Sequence, residues 1–292
     1  MKETFTPRRF SAKSKIKLAQ ICEILAKYDQ KLTDRQLYYQ LISQYSLPNS
    51  WREYLNLCNL VRDARLSGDI DWDAIEDRTR TPDMPTHFDN VDDGLHALIA
   101  SYRLDRWAEQ KNYVEVWIEK DALSSVFAPV TSQYHILLMA NRGYSSITAI
   151  HDASVRFKHA RENGKECVLL YFGDHDPSGE DMVRDIHDRL NDTFHCPVEI
   201  TKIALTKKQV QQYNLPPNPA KRSDPRASKY MDEHGDGSWE LDALPPDVLQ
   251  TLLTNAITKY LDLNAFDRQL QKEGEDKQTL SRLAIGKEVG QS

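Results

Sequence analysis

Apolar residues over positions 1–65 fall at helical spacing in three stretches. In KSKIKLAQICEILAKY (13–28), Ile16, Ala19, Ile21, Ile24, Leu25 and Tyr28 lie near one face. LTDRQLYYQLISQY opens a second helix, with Thr33 or Asp34 as its N-cap, and SWREYLNLCNLVRDARLSG forms a third that turns Tyr54, Leu57, Leu60, Val61 and Ala64 inward and stops at Gly68. The extended DIDWDAIEDRTR follows, anchored by Ile70, Trp72 and Ile75, which makes a helix-turn-helix with a wing the expected outcome. From about residue 113 the period changes. Short β-rich runs at 113–118, 134–139, 166–172 and 197–205 alternate with helical stretches, the pattern of a parallel sheet with crossover helices. A proline-rich loop at 214–246 precedes a packed helix at 247–263, and the last residues are polar enough to fray. The expected organisation is an α/β chain: a helical unit over 1–82, a connecting helical segment over 83–112, a mainly parallel sheet flanked by helices over 113–265, and a polar tail over 266–292.

Composition narrows the class. The 292 residues are 40% hydrophobic and 28% charged with 11 Gly and 13 Pro, which excludes a disordered or collagen-like chain. No apolar run reaches the roughly 20 residues needed to cross a bilayer, and MKETFTPRRFSAKSK has no secretory apolar core, so the expectation is a cytoplasmic protein without membrane partners. Cys22, Cys58, Cys167 and Cys196 are scattered without a CxxC and suggest neither disulfides nor zinc. The net charge of -6 is divided unevenly: residues 1–65 carry 12 Lys and Arg against 6 Asp and Glu, leaving 26 against 38 for the remainder. The basic front is the candidate polyanion contact, with Arg52, Arg62 and Arg65 on the outer face of the third helix; a solvated face is the plainer alternative. Lys221, Arg222 and Arg226 in the proline-rich loop are further candidates for phosphate, again against a solvated loop.

Two constellations carry candidate chemistry. On the second helix, Leu37, Tyr38, Leu41, Ile42 and Tyr45 share an apolar arc, so Tyr38 is expected to pack and Tyr39 to face out, one turn from Arg35. A phenol attacks at neutral pH only where a cation stabilises the phenolate, and Arg35 is placed for that or for holding a phosphate; an ordinary exposed tyrosine is the alternative. In the α/β part, Glu119 directly follows the first strand, and Asp174 and Asp176 directly follow the third. Chemistry in open α/β sheets sits beyond the carboxyl ends of strands, and three crowded carboxylates suit a hard ion such as Mg²⁺. Helix capping by the aspartates and phosphoaspartyl transfer are the other readings.

VEVWIEKDAL followed by YFGDHDPSG resembles the Toprim domain, and ANRGYSS, with Gly143, looks like its glycine-bearing segment. DRQLYY resembles the Arg-x-x-Tyr-Tyr segment in the winged-helix domain of topoisomerase VI A subunits and the meiotic double-strand-break transesterase. The likeness spans roughly residues 30–260, and the chain looks most like the short mini-A relatives. It implies a winged-helix domain followed by a Toprim domain, and a type IIB topoisomerase-like transesterase acting on double-stranded DNA. Tyr39 would be the nucleophile forming a 5′-phosphotyrosyl link, Arg35 its helper, and Glu119, Asp174 and Asp176 the Mg²⁺ ligands. Lys120, beside Glu119, joins Arg52, Arg62 and Arg65 as a DNA contact. A homodimer and a separate ATPase subunit are the implied partners. A Toprim nuclease using metal-activated water and a non-catalytic DNA-binding regulator are the rival functions.

Overall fold

The computed structural model describes residues 2, 4–76, 85–219, 230–232, 235 and 237–286. Its front part is built from α1 (Ala12–Leu25), α2 (Asp34–Tyr45) and α3 (Trp51–Leu66). Each begins on a capping side chain, Ser11, Thr33 and Ser50 respectively, and Thr33 forms a reciprocal capping box with Gln36. The apolar stripes read from the sequence meet between them: Ile21, Ile24, Leu37, Tyr38, Leu41, Leu57, Val61 and Ala64 form one buried cluster. Of the expected wing, the described part is a short helical turn at Trp72–Ala74 and a single parallel bridge between Leu32 and Ile75; its end, 77–80, lies outside the described residues. α4 (Val91–Ser101) follows in the connecting segment.

The second part is a four-stranded, wholly parallel sheet of β1 (Asn112–Ile118), β2 (Leu137–Ala140), β3 (Glu166–Phe172) and β4 (Glu199–Ala204), in the order β2-β1-β3-β4. The crossovers are α5 (Ser124–Tyr134), α6 (Ile147–Glu162) and α7 (Pro177–Asp188). The expected run at 134–139 yields a strand only from Leu137, because Tyr134 ends α5 and His135 turns the chain in the left-handed region. Alternation sorts the strands onto two faces. Val114, Val116, Ile118, Val168, Leu170 and Phe172 pack with α5 and with α9 (Pro246–Thr258), which follows the short α8 (Lys207–Gln212). Trp117, Leu169 and Tyr171 pack with α6 and α7 on the other face. Two further two-residue strands, β5 (Asn218–Pro219) and β6 (Gly237–Ser238), pair at the ends of the proline-rich segment.

The polar tail does not fray where expected: α10 (Leu263–Gly286) is one helix of 24 residues. Its anchor is a charge. Glu273 is buried and is bound by Arg106, by Lys277 one turn on and by the backbone N–H of Leu104. No helix of the described residues is long and apolar enough to cross a membrane.

A strand reading VEVWI should have an apolar centre, yet Glu115 lies fully buried on the α6 face. The cluster is satisfied: Arg156 of α6 bridges both carboxylate oxygens at 2.7 and 3.0 Å, and the Tyr113 hydroxyl and Trp117 Nε1 donate the rest. Removing one partner strands a buried charge. Arg156→Ala is therefore expected to cost about 2–3 kcal/mol in urea denaturation, below the cost for a fully enclosed pair because Arg156 is only half-buried.

Candidate active site at the sheet switch point

In the order β2-β1-β3-β4, the chain leaving β1 turns toward β2 while the chain leaving β3 turns toward β4. Their loops therefore diverge between β1 and β3, opening the crevice where ligands of such sheets bind. Glu119 and Asp174 stand on either side of it. The Asp174 backbone N–H donates to Glu119 Oε2 at 2.8 Å, and Asp174 Oδ1 accepts from Leu241 N at 2.8 Å. Asp176 caps α7, accepting from Gly179 N at 2.7 Å. The helix-capping alternative is thus realised for Asp176. Glycine is required here by close approach: a Cβ on Gly173 would stand 2.6 Å from the Tyr171 ring and 2.7 Å from Glu119 Oε2, and one on Gly179 only 2.3 Å from the Asp174 carbonyl oxygen.

Burial, with the mutual repulsion of the two carboxylates, raises Glu119 above the ordinary carboxylate range. Burial raises Asp174 as well, against the pull of Lys120. Among the described residues no group of three or more His, Cys, Asp or Glu side chains is gathered as a metal cage. The donor chemistry nonetheless fits a hard cation: the three acids are all-oxygen donors, each pinned through one oxygen by a backbone N–H, and burial makes ionisation costly for Glu119 and, even beside Lys120, for Asp174. They are the residues that would hold Mg²⁺.

Lys120 departs from its expected role. Its ammonium sits among three carboxylates, Asp242 at 2.8 Å, Asp174 at 3.0 Å and Glu240 at 3.2 Å. Burial works against its charge, but these carboxylates outweigh it and hold Lys120 well above an ordinary lysine. It is the counter-ion of the acidic cluster in this arrangement, not an open DNA contact. Glu240 and Asp242 were not among the residues expected from sequence. They are delivered by the returning end of the proline-rich segment, where Trp239 pairs with His175 through two backbone bonds of 2.8 and 2.9 Å. The acid–apolar–acid alternation Glu240-Leu241-Asp242 is the sequence signal that points to them.

The same Glu240 also accepts from Arg35 of α2. Tyr39, beside it, is corrected in one respect. It does point away from the helical core, but α/β residues and not solvent cover it; it is 1% exposed and belongs to the core cluster under the sheet. Its hydroxyl accepts from Asn218 Nδ2 at 2.9 Å and from Arg35 Nη2 at 3.4 Å. Burial, aided by Glu240, keeps the phenol protonated far above neutral pH despite Arg35. Arg35, Lys120, Asp174 and Asp176 line a cavity of about 640 Å³ between α2, α3 and the strand ends; Tyr39 lies behind its wall.

The remaining candidate cations are elsewhere. Arg52 is exposed at the start of α3. Arg62, exposed near its end, pairs with Asp63 at 2.9 Å. Arg65 lies over the Trp72 ring at 4.3 Å and donates to the Trp72 carbonyl, a packing role. At 1.5 Å per residue, Arg62 and Arg65 stand well along α3 from the cavity. Lys221, Arg222 and Arg226 fall outside the described residues. No protein-family model and no curated protein matches the chain.

The charge arrangement makes two substitutions opposite in sign. A carboxyl held above its ordinary pKa binds its proton more tightly folded than unfolded, so stability falls as pH rises from about 4.5 through the raised value. Glu119→Gln keeps an acceptor for Asp174 N and removes the repulsion; in EDTA at alkaline pH it should stabilise the protein by about 1 kcal/mol or more and flatten that slope. Lys120→Ala should instead cost about 3 kcal/mol or more, because it leaves buried carboxylates without their cation. Urea titrations across pH check both.

Proposed function

We propose that the chain is a Mg²⁺-dependent DNA-cleaving and rejoining enzyme with a winged-helix domain and a Toprim domain, and that Tyr39 forms a 5′-phosphotyrosyl intermediate. The observation that carries this reading is a continuous polar network joining the two halves: Tyr39 to Asn218 and Arg35, these to Glu240, Glu240 to Lys120, and Lys120 to Asp174. A phosphodiester entering the cavity meets cations that Glu240 now occupies. Arg35 binds phosphate oxygens through the same guanidinium fork it offers a carboxylate, so phosphate exchanges for Glu240. Loss of that contact frees the segment that covers Tyr39. The phenolic oxygen then bonds to phosphorus as the bond from phosphorus to the 3′-oxygen breaks, and the phenolic proton ends on the departing 3′-hydroxyl. The reverse reaction reseals the strand. Mg²⁺ held by Glu119, Asp174 and Asp176 would stabilise charge on the phosphate and leaving oxygen. A double-strand break needs two such sites, hence the homodimer in this reading; a separate ATPase subunit belongs to the same reading.

A second reading has one observation in its favour. Tyr39 does not line the cavity, and a buried, protonated phenol is a poor nucleophile, which favours hydrolysis by metal-activated water. One experiment separates them. Incubated with Mg²⁺ and end-labelled DNA and then denatured, the wild type should carry protein covalently on 5′ ends, and Tyr39→Phe should lose at least about a hundredfold of it. Cleavage without adduct, unchanged in Tyr39→Phe, would establish the hydrolytic reading. Asp174→Ala and Asp176→Ala should abolish cleavage under either; DNA binding without any cleavage by the wild type would leave only a regulator.

A further inference from the structure

Of the five tryptophans, Trp107, Trp117 and Trp239 are buried, and Trp72, 37% exposed, has Arg65 over one face of its ring and Phe5 against its edge. Trp51 is different: it is 67% exposed at the first position of α3, at the wall of the cavity that holds the acidic cluster. A ring of that size left in water at a helix start contributes little to the fold. Its surroundings form an ordered step. Tyr54 tilts against it with centroids 5.4 Å apart and planes at 38°. Arg35 lies 5.2 Å over the Tyr54 ring, and Lys120 follows on the same cavity wall. An open aromatic face therefore leads, through a second aromatic, to Arg35 and Lys120, two cations that share Glu240 and that a phosphate reaches by exchange for that carboxylate.

We propose that Trp51 is a stacking platform for an unpaired DNA base, so that the cavity takes a strand locally opened within the double-stranded substrate. This inference rests on the DNA reading above and names its substrate class. Bases within a duplex have both faces covered by their neighbours, so only an unstacked base offers a face to an indole, whatever its sequence. The cations beyond Trp51 are then in the path of that strand's phosphates. Leu55, 45% exposed and one turn along α3 from Trp51, extends the apolar surface beside the ring.

The test is binding of the full chain in EDTA, where no metal-dependent cleavage intervenes, to labelled single-stranded, gapped and blunt duplex DNA by fluorescence polarisation. The wild type should prefer the single-stranded and gapped forms, and their binding should quench tryptophan emission. Trp51→Ala should weaken them by about tenfold, remove the quenching and leave duplex binding unaltered, whereas Trp51→Phe should retain most of the preference. Trp51 packs on little, so both variants should melt with the wild type. Equal binding of all three DNAs by wild type and Trp51→Ala would overturn the platform while leaving the DNA reading standing. A wild type that binds none of the three would overturn both.

Discussion

A single ammonium group governs this structure. Lys120 leaves the end of β1 and is taken up by Asp174 from the end of β3 and by Glu240 and Asp242 from the far side of the proline-rich segment. The switch point of the sheet brings acids together, and acids brought together repel; without an interior cation the cluster must stay protonated or come apart. Lys120 offsets this for the carboxylates it touches, only in part for Asp174, which burial still raises. Glu119, on the other side of Asp174, has no ion pair with Lys120; burial first and repulsion from Asp174 second raise its pKa, more than Lys120 lowers it.

The same cluster fixes how the helical part sits on the sheet. Glu240 is shared between Lys120 and Arg35, so one carboxylate closes the acidic site and holds α2 against it. Asn218 adds a second tie, donating to the Tyr39 hydroxyl while its Oδ1 accepts from Asn49 Nδ2 at 2.6 Å. The cover over Tyr39 and the pairing of the two cations therefore meet at one carboxylate: Glu240 binds Arg35 and Lys120 and also accepts from the Asn218 amide that covers the Tyr39 hydroxyl.

Period and position made much of this readable from the chain alone. β3 forms over the run 166–172 expected of it, and the acids following β1 and β3 arrive at the crevice, because strand ends and crossover order follow from local alternation and handedness. The limits were equally physical. Helical periodicity shows that Tyr39 turns away from its own bundle, but it carries no information on what docks against that face. Lys120 follows Glu119 in sequence and looks like an open cation; only the three-dimensional return of Glu240 and Asp242 fills its coordination. Glu273 looked like one more charge in a polar tail until Arg106, from a distant segment, gave the tail a reason to be helical.

Asp176 shows why capping and ligation are not competing explanations at this site. A capping aspartate commits one oxygen to the first turn of its helix, here to Gly179 N, and that bond fixes the orientation of the carboxylate. The second oxygen is outside that bond, at the positive end of α7, on the wall of a cavity that Asp174 and Lys120 also line. Glu119 and Asp174 are pinned through backbone N–H groups in the same way. At Gly173 a Cβ would meet the Tyr171 ring at 2.6 Å and Glu119 Oε2 at 2.7 Å, so the same glycine admits the core aromatic and the buried acid side by side.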